Sequence, residues 1–494
     1  MAEEPTEQTP LLVEPQRTQG QDPEVVAKPH HAIYDRFTSA QKTQILAQVS
    51  YVGLIPLFVA VSFYPTIPEI AKDLDTTAEV VSLAVSISVL SGCIGGLIGA
   101  SFATFYGRRP TYLLGLPILC IGSIGVAQSN TIPSLMTWRF IQTFGVSSGL
   151  SVGAGVIGDI YALEERGMAM GIFFAACLLG QSFGPFVGGF VAYYFDWRIM
   201  QLSLGGAGLV GFLWMLLGYP ETSLPGSRGI DKQRAELEKR GIDYSAQNVV
   251  FKYLPRFNPF HTLGMLKSPN ITAVSLAGML ILFTDYVNLV PLPLTIAPRY
   301  GITNKAVLGL LYCPQGVGKF FGAPVAGWLS DRVVRKLLKA RGGTWYPEDR
   351  LRASLLGGAV LVPLSTLGIG FTTHFISSPK IGLTLDMILL FINGFGIDMV
   401  LNPSSTYIVD ILQARGAEGI AANYALRAFL TSFAVSAITP MINSIGILGA
   451  NAVASVSAWT GFGLLVLTIK YGEGMRDWVD VGYVKGDGQG EGAG

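Results

Sequence analysis

Charge is what this chain has least of. Asp, Glu, Lys and Arg supply 14% of its 494 residues, against about a quarter in a soluble domain. With 50% hydrophobic residues and a mean hydropathy of +0.46, that shortage excludes an ordinary soluble globule. It points to a chain that crosses a membrane many times. The net charge of +1 predicts no bulk attraction to nucleic acid. Cysteine is scarce as well. Cys93, Cys120, Cys177 and Cys313 each lie in an apolar run, where small buried hydrophobes rather than disulfides are expected. The four histidines, His30, His31, His261 and His374, are scattered without metal-ligand spacing. No metal or cofactor site is expected, and no ATP-binding loop is present, so work must draw on an ion or substrate gradient.

Both ends are polar. Residues 1–44 are Pro- and Gln-rich and lack the apolar stretch of a cleaved signal, so they read as a disordered cytosolic tail. The run Glu7 to Leu12 resembles an acidic dileucine sorting signal, with a chance match as the alternative. Residues 471–494 read as a second cytosolic tail, Gly-rich at its end and without a lipidation signal.

Long apolar runs fill the rest, and a spanning helix needs about 20 such residues. Twelve are expected, near 45–68, 80–103, 111–128, 133–158, 168–193, 200–219, 271–296, 305–328, 353–373, 381–402, 418–442 and 447–469. They form an N-terminal six-helix bundle over 45–220 and a C-terminal one over 269–470. A cytosolic central loop, 221–268, lies between them, with an amphipathic helix at DKQRAELEKR. With the N-terminus inside, cytosolic segments hold 26 Lys and Arg residues and external ones five. That bias predicts both termini in the cytosol, and it leaves the sequon at Asn270 on the cytosolic side, unused. The plasma membrane is the expected location, with the vacuolar membrane as the alternative.

The two halves echo each other. A basic, glycine-bearing turn follows helix two at 100–110 and helix eight at 327–336. Such parallel repeats are a mark of transporters built from two related bundles.

These turns resemble the G-x-L-x-D-R-x-G-R-R signature of the major facilitator superfamily. Within it, residues 45–470 resemble the fungal group of twelve-helix drug:proton antiporters. The first copy ends Gly107-Arg108-Arg109-Pro110, with Ala100 in place of the first glycine and Thr104 in place of the acid. The second keeps the acid as Asp331, followed by Arg332, and has Val334 where a glycine belongs. Arg139, Gln142 and Gly145 resemble R-x-x-Q-G-x-G of helix four, with Thr143 replacing a glycine. Gly180, Gly184, Pro185, Gly188 and Gly189 resemble the antiporter-associated G-x-x-x-G-P-x-x-G-G of helix five. Asp196-Trp197-Arg198, Pro220-Glu221-Thr222 and the region of Arg427 are similar to the fungal group too. The resemblance implies an all-α fold of twelve transmembrane helices in two pseudo-symmetric bundles, working by alternating access. It also implies that the acid of the turn latches the halves, so Thr104 removes one half of that latch. Asp159 is then the expected partner of Arg108, Arg109 or Arg166.

Charges placed deep in apolar helices are costly and face a cavity or a partner. Arg139, Lys319 and Arg427 are such cations, and Asp285 is the matching acid; Asp386 and Asp398 are placed nearer the ends of helix ten. Together with Gln142, Asn288 and Asn393 these deep groups are the expected substrate or coupling residues. Either Asp285 pairs with Lys319 or Arg427 as a structural tie, or unpaired cations make the cavity basic and suited to an organic anion. Asp285 is the expected proton carrier, since arginine does not titrate. The expected gating set is Gly107, Arg108, Arg109, Asp159, Arg166, Gly180, Gly184, Pro185, Gly188, Gly189, Asp331 and Arg332. Glycine stripes on helices five and eight are expected to form the sliding seam between the halves. Three enzyme-like matches lie inside apolar helices, where the strand-turn contexts they need are missing: Gly153-x-Gly155-x-x-Gly158, Gly206-x-Gly208-x-x-Gly211 and Gly180-x-Ser182-x-Gly184.

The function expected is export of a small organic compound by a monomeric secondary transporter, with protons as coupling partner and an organic-acid-like metabolite as cargo. A multidrug:proton antiporter and a transporter-like nutrient sensor are the alternatives. No enzyme activity is expected.

Overall fold

Several of the apolar runs fold as helices whose start is set by a local polar cap. The computed structural model describes residues 34–161, 163–224, 226, 228–239, 261–412 and 416–478. Helix α1, Ser39–Ser62, opens on a capping box in which Gln41 N–H donates to the Thr38 hydroxyl and Thr38 N–H donates to the Gln41 side chain at 2.9 Å. The same logic starts α2, Ala78–Tyr106, at Thr77. Helix α3 is Arg108–Ala127. Helix α4 spans Ile132–Ile160 in two pieces, Ile132–Val146 and Gly149–Ile160. Helix α5 is Leu163–Tyr194, and α6, Trp197–Gly218, starts where the Asp196 carboxylate accepts from Ile199 N–H at 2.7 Å.

The second half repeats the plan. Helix α7 is Pro269–Leu289 and α8 is Cys313–Ala340. Helix α9, Pro347–Phe375, combines a 3₁₀ entry, a wide π turn at Gly357–Leu361 and a regular end. Helix α10 is Pro379–Leu412 and α11 is Gly416–Ser436. Helix α12, Ile438–Trp478, is broken at Gly446, whose φ of 75° is left-handed and open to glycine alone without strain. The central segment contains the expected amphipathic helix at Gly229–Lys239, while 240–260 lie outside the described residues, as do 1–33 of the N-terminal tail and 479–494.

Ten of the described helices are long and apolar enough to cross a membrane. The remaining two, α8 and α11, carry Gln315 and Lys319, and Asn423 and Arg427, which dilute their apolar character. The chain is thus an all-α multi-pass membrane protein of two six-helix bundles. Exposed apolar side chains such as Leu114, Ile172, Val210, Leu217, Phe433 and Val456 give it a lipid-facing girdle.

The cores show how the halves sit. One cluster joins the end of α1 and the start of α2, through Phe63, Tyr64 and Val81, to residues from the other half, including Leu289, Leu292 and Tyr312. At the opposite end the two halves keep separate cores, one within 45–219 and one within 265–465. The halves are therefore sealed together at one end, while towards the other their cores part and are bridged by a small cluster of Cys93, Leu97, Ala425 and Ala428 between α2 and α11. Polar ties reinforce the seal: Lys305 Nζ lies 2.8 Å from Glu69 and donates to the Ala192 carbonyl at 3.1 Å, the Ser82 and Thr439 hydroxyls meet at 3.2 Å, and Asn443 donates to Glu79.

Candidate functional site

Arg139 and Gln142 are three residues apart on α4, so they share a helix face. Arg139 is 0% exposed. Its Nη1 donates to Gln142 Oε1 at 2.7 Å, its Nη2 donates to the Val59 carbonyl at 2.9 Å, and its guanidinium lies 4.4 Å from the Phe63 ring centroid. Gln142 passes the network on, donating to the Ser123 hydroxyl of α3 at 2.9 Å and to Gln201 Oε1 of α6 at 3.0 Å. No carboxylate among the described residues pairs with Arg139, and its Nε has no partner. The cation is held by carbonyls and a ring face, which keeps its charge uncancelled.

The second half holds its cation differently. Lys319 Nζ lies 2.7 Å from Asp285 Oδ2, and the two side chains are 4% and 7% exposed. Gln315, one turn before Lys319 on α8, donates to Asp285 Oδ1 and, at 3.0 Å, to Asn393 Oδ1. Asn393 in turn donates to the Ser365 and Thr366 hydroxyls of α9 at 3.2 and 3.0 Å. Of the two partners expected for Asp285, Lys319 is the one found.

Asn288 and Arg427 stand apart from this network. Both amide atoms of Asn288 lack a partner. The Arg427 guanidinium is 5.8 Å from the Tyr424 ring centroid and its stem packs on Gly278; no described carboxylate reaches it. The deep acids number two rather than one. Asp398 lies in the middle of α10, because that helix runs from Pro379 to Leu412 and extends well past its expected end at 402. Gln201 and Gln315 were absent from the expected site. Their signal was available: Gln315 precedes Lys319 by four residues, and both interrupt apolar runs.

Several residues of the expected gating set form clamps at helix ends. Arg108 Nε lies 3.0 Å from Asp159 Oδ2, which resolves the expected pairing of Asp159. Glu221 accepts from the backbone N–H of Arg108 at 3.0 Å and of Arg109 at 3.2 Å, capping α3. Gly107 has φ 112° and a Cβ there would run into the Glu221 carboxylate. Burial raises the Glu221 carboxyl pKa, but the hydrogen bonds from Ser223, Arg108 and Arg109 outweigh it and hold the carboxyl below its usual range. Arg109 donates to the Leu216 carbonyl at 3.2 Å. In the second half Asp331 pairs with Arg350 at 2.9 Å, and Arg350 also grips Asp410 of α10. Arg332 lies over the Trp328 ring at 5.1 Å. The side chain of Arg166 lies outside the described residues.

The expected glycine seam needs correction. Gly180, Gly184 and Gly188 share one face of α5, and it meets α1 of the same half: added Cβ atoms would lie 2.6 Å from the Leu54 carbonyl, 2.7 Å from Val61 and 2.5 Å from the Ser62 carbonyl. Gly318 and Gly322 likewise face Phe391 and Phe395 of α10. The contact between halves uses the other face of α5. There Ser182 meets Gly316, the Pro185 carbonyl meets Gly309, and Gly189 meets the Lys305 carbonyl. Spacing by four identifies a face but not the neighbour it meets.

A protein-family model described as Major Facilitator Superfamily matches residues 51–448. The chain is similar to efflux pump radE of Floropilus chiversii, 25% identical over 86% of this chain and 78% of that protein. It is similar to MFS antiporter QDR3 of Candida albicans, 24% identical over 86% and 77%, and to efflux pump vrtL of Penicillium aethiopicum, 29% identical over 85% of each. Among solved structures, the xylose transporter XylE from E. coli in a partially occluded inward-open conformation matches with a TM-score of 0.60, covering 91% of this chain and 100% of that one at 19% identity. At that identity the likeness concerns the fold.

Proposed function

The chain belongs to the Major Facilitator Superfamily, and from that premise we propose that it exports a small organic anion or carboxylate-bearing metabolite, driven by protons or by the membrane potential. The observation that carries this reading is charge imbalance at depth. Lys319 is neutralised by Asp285, while Arg139 and Arg427 have no carboxylate within ion-pair distance among the described residues, and the one further deep acid, Asp398, is near Arg427 and not Arg139. An anionic ligand supplies what the arginines lack. An inside-negative potential would favour its exit by about 2.3 kcal/mol per charge per 100 mV. Similarity to two proteins named efflux pumps supports the outward direction.

With both termini cytosolic, the sealed end is external and the carrier faces inward, ready to load cargo. Substrate and proton then act by binding the two states unequally. Asp285 carries the coupling proton: protonation cancels its attraction for Lys319 and frees that amine. The carrier works as a monomer, in the plasma membrane. A multidrug:proton antiporter is the second reading, favoured by similarity to a protein named an MFS antiporter. The deciding experiment compares compounds in medium and cells after deletion and overexpression, with and without a protonophore. Loss of an organic acid from the medium on deletion supports the first reading. Changed tolerance to cationic or neutral drugs alone supports the second, and no change in either sinks both. Protonophore sensitivity that survives Asp285→Asn removes Asp285 from the coupling role.

A further inference from the structure

Asp386, on α10 near the sealed end, is 0% exposed and has no cation within ion-pair distance among the described residues. Its partners are hydroxyls. Thr372 Oγ1 of α9 contacts Oδ1 closely, and Thr373 Oγ1 lies 3.4 Å from Oδ2. Thr372 Oγ1 also lies 3.0 Å from the Ile369 carbonyl of its own helix. A hydroxyl has one proton to give. If Thr372 gives it to Ile369, its oxygen can only accept from Asp386, and Asp386 must then carry a proton. The alternative is an ionised carboxylate sealed from water without a counter-charge, which is the costlier arrangement. The surrounding groups supply no such charge. On α9, His374 is exposed; Arg299 donates to the His374 carbonyl and the Ser377 hydroxyl; Tyr300 presents its hydroxyl to Asp386 as a third, neutral partner and lies 3.4 Å from the Thr372 carbonyl; and Lys380 of α10 itself is exposed.

A second observation gives this proton somewhere to go. Thr373 also lines a cavity of about 10 Å³, room for the centre of one water molecule. Asn288 and Asn451 line it too, with Asn288 Nδ2, Asn288 Oδ1 and Asn451 Oδ1 unpartnered. Orphans of both kinds, donor and acceptor, match water, whereas a metal ion would satisfy only the oxygens. We infer that Asp386 is a proton-binding site of this carrier, protonated in the sealed conformation and exchanging its proton through Thr373 with a water held by Asn288 and Asn451. Exchange balances once rotation of the carboxyl brings the protonated oxygen to the Thr373 side: Asp386 gives its proton to Thr373 Oγ1 as Thr373 gives its own to the water, and uptake reverses each step. The site rests on the proton-driven reading above for its purpose but not for its existence.

Infrared spectroscopy of the full-length protein, purified and isotope-labelled at aspartate, tests it. At neutral pH a protonated-carboxyl band is expected, and Asp386→Asn, which keeps the shape and stays neutral, is expected to remove it. An unchanged band in Asp386→Asn overturns the site. Thr372→Val keeps the acid but removes its acceptor, so the band is expected to shift to higher frequency; a fixed band also overturns it. A band lost in Asp386→Asn beside export that ignores a protonophore leaves the site standing and defeats the proton-driven reading. Protonophore-sensitive export with no Asp386 band does the reverse.

Discussion

The two halves build the same scaffold and then charge it differently. An amide on α4 donates to a hydroxyl of α3, Gln142 to Ser123, and an amide on α10 donates to hydroxyls of α9, Asn393 to Ser365 and Thr366. An arginine at the start of α3 clamps an acid at the end of α4, Arg108 to Asp159, and Arg350 at the start of α9 clamps Asp410 at the end of α10. The departures are as orderly. The place of Thr104 is taken in α8 by Asp331, which joins the Arg350 clamp. Where Glu221 after α6 caps α3, the polarity reverses in the second half: Arg476 at the end of α12 grips Glu348 at the start of α9. At depth, one half leaves Arg139 without an acid and the other closes Lys319 on Asp285. The scaffold is duplicated, and the difference lies in the partner of the deep cation beside it: Arg139 has only neutral acceptors, Lys319 has a carboxylate.

The largest expected effect tests that difference directly. Lys319→Met strands the Asp285 carboxylate in a buried site and is expected to cost about 3–5 kcal/mol of stability. Adding Asp285→Asn is expected to recover much of it. Arg139→Met leaves only neutral acceptors, Gln142 Oε1 and the Val59 carbonyl, and is expected to cost about 1–3 kcal/mol. Thermal unfolding of the purified variants ranks them. An Arg139→Met protein less stable than Lys319→Met would mean that Arg139 is the structural cation, and the comparison would invert.

The next effect separates contacts within a half from contacts between halves. Gly188 sits against the Ser62 carbonyl of its own half, while Gly316 sits against Ser182 across the interface. Gly188→Val is expected to lower stability by about 1–3 kcal/mol through overpacking. Gly316→Val can relieve its clash by parting the halves. Its expected outcome is faster alkylation of a reporter cysteine at Ser82, on the sealed end, with a smaller loss of stability. Equal alkylation in the two variants would break the distinction.

These glycines also show where the sequence stopped being legible. The helices, the repeat and the need of Asp285 for a cationic partner were readable, because apolar length and the cost of lone buried charges act locally; which of Lys319 and Arg427 it meets was not. The neighbour of a glycine face was not, since spacing says which residues align and nothing of what they meet. Helix ends set by caps and clamps were also hidden. Helix α8 runs to Ala340, past its expected end at 328, because the polar segment VVRKLLKA continues as helix in water, and Asp398 became central only once the length of α10 was known. The hydroxyl cradle of Asp386 depends on α9 and α10 lying side by side, which no local pattern reveals.

A smaller effect concerns the reversed caps. Glu221→Gln weakens acceptance from the N–H groups of Arg108, Arg109 and Ser223, at an expected cost of about 0.5–2 kcal/mol. Because the folded carboxyl pKa is depressed, its contribution is fully present above the unfolded value, about 4.3, and is lost as pH falls through the lower folded value. The unfolding temperature of the native protein is therefore expected to drop on acidification below about pH 5 more steeply than that of Glu221→Gln. Parallel curves would show that the carboxylate adds nothing beyond a neutral cap.

The smallest effect is at the seal. Lys305 reaches from the second half to Glu69 and the Ala192 carbonyl of the first, and it is partly open to solvent, so its ion pair is weak. Removing it matters through the conformational balance, because these contacts exist only while this end is closed. Lys305→Met forgoes about 0.5–1 kcal/mol, which shifts the ratio of open to sealed forms about two- to fivefold. The same reporter cysteine at Ser82 is expected to alkylate faster by that factor, and high salt is expected to erase the difference, since screening weakens the native pair alone. A salt-independent increase would assign the effect to the apolar stem of Lys305, and no increase would place the whole seal in the shared apolar core around Phe63, Tyr64 and Tyr312.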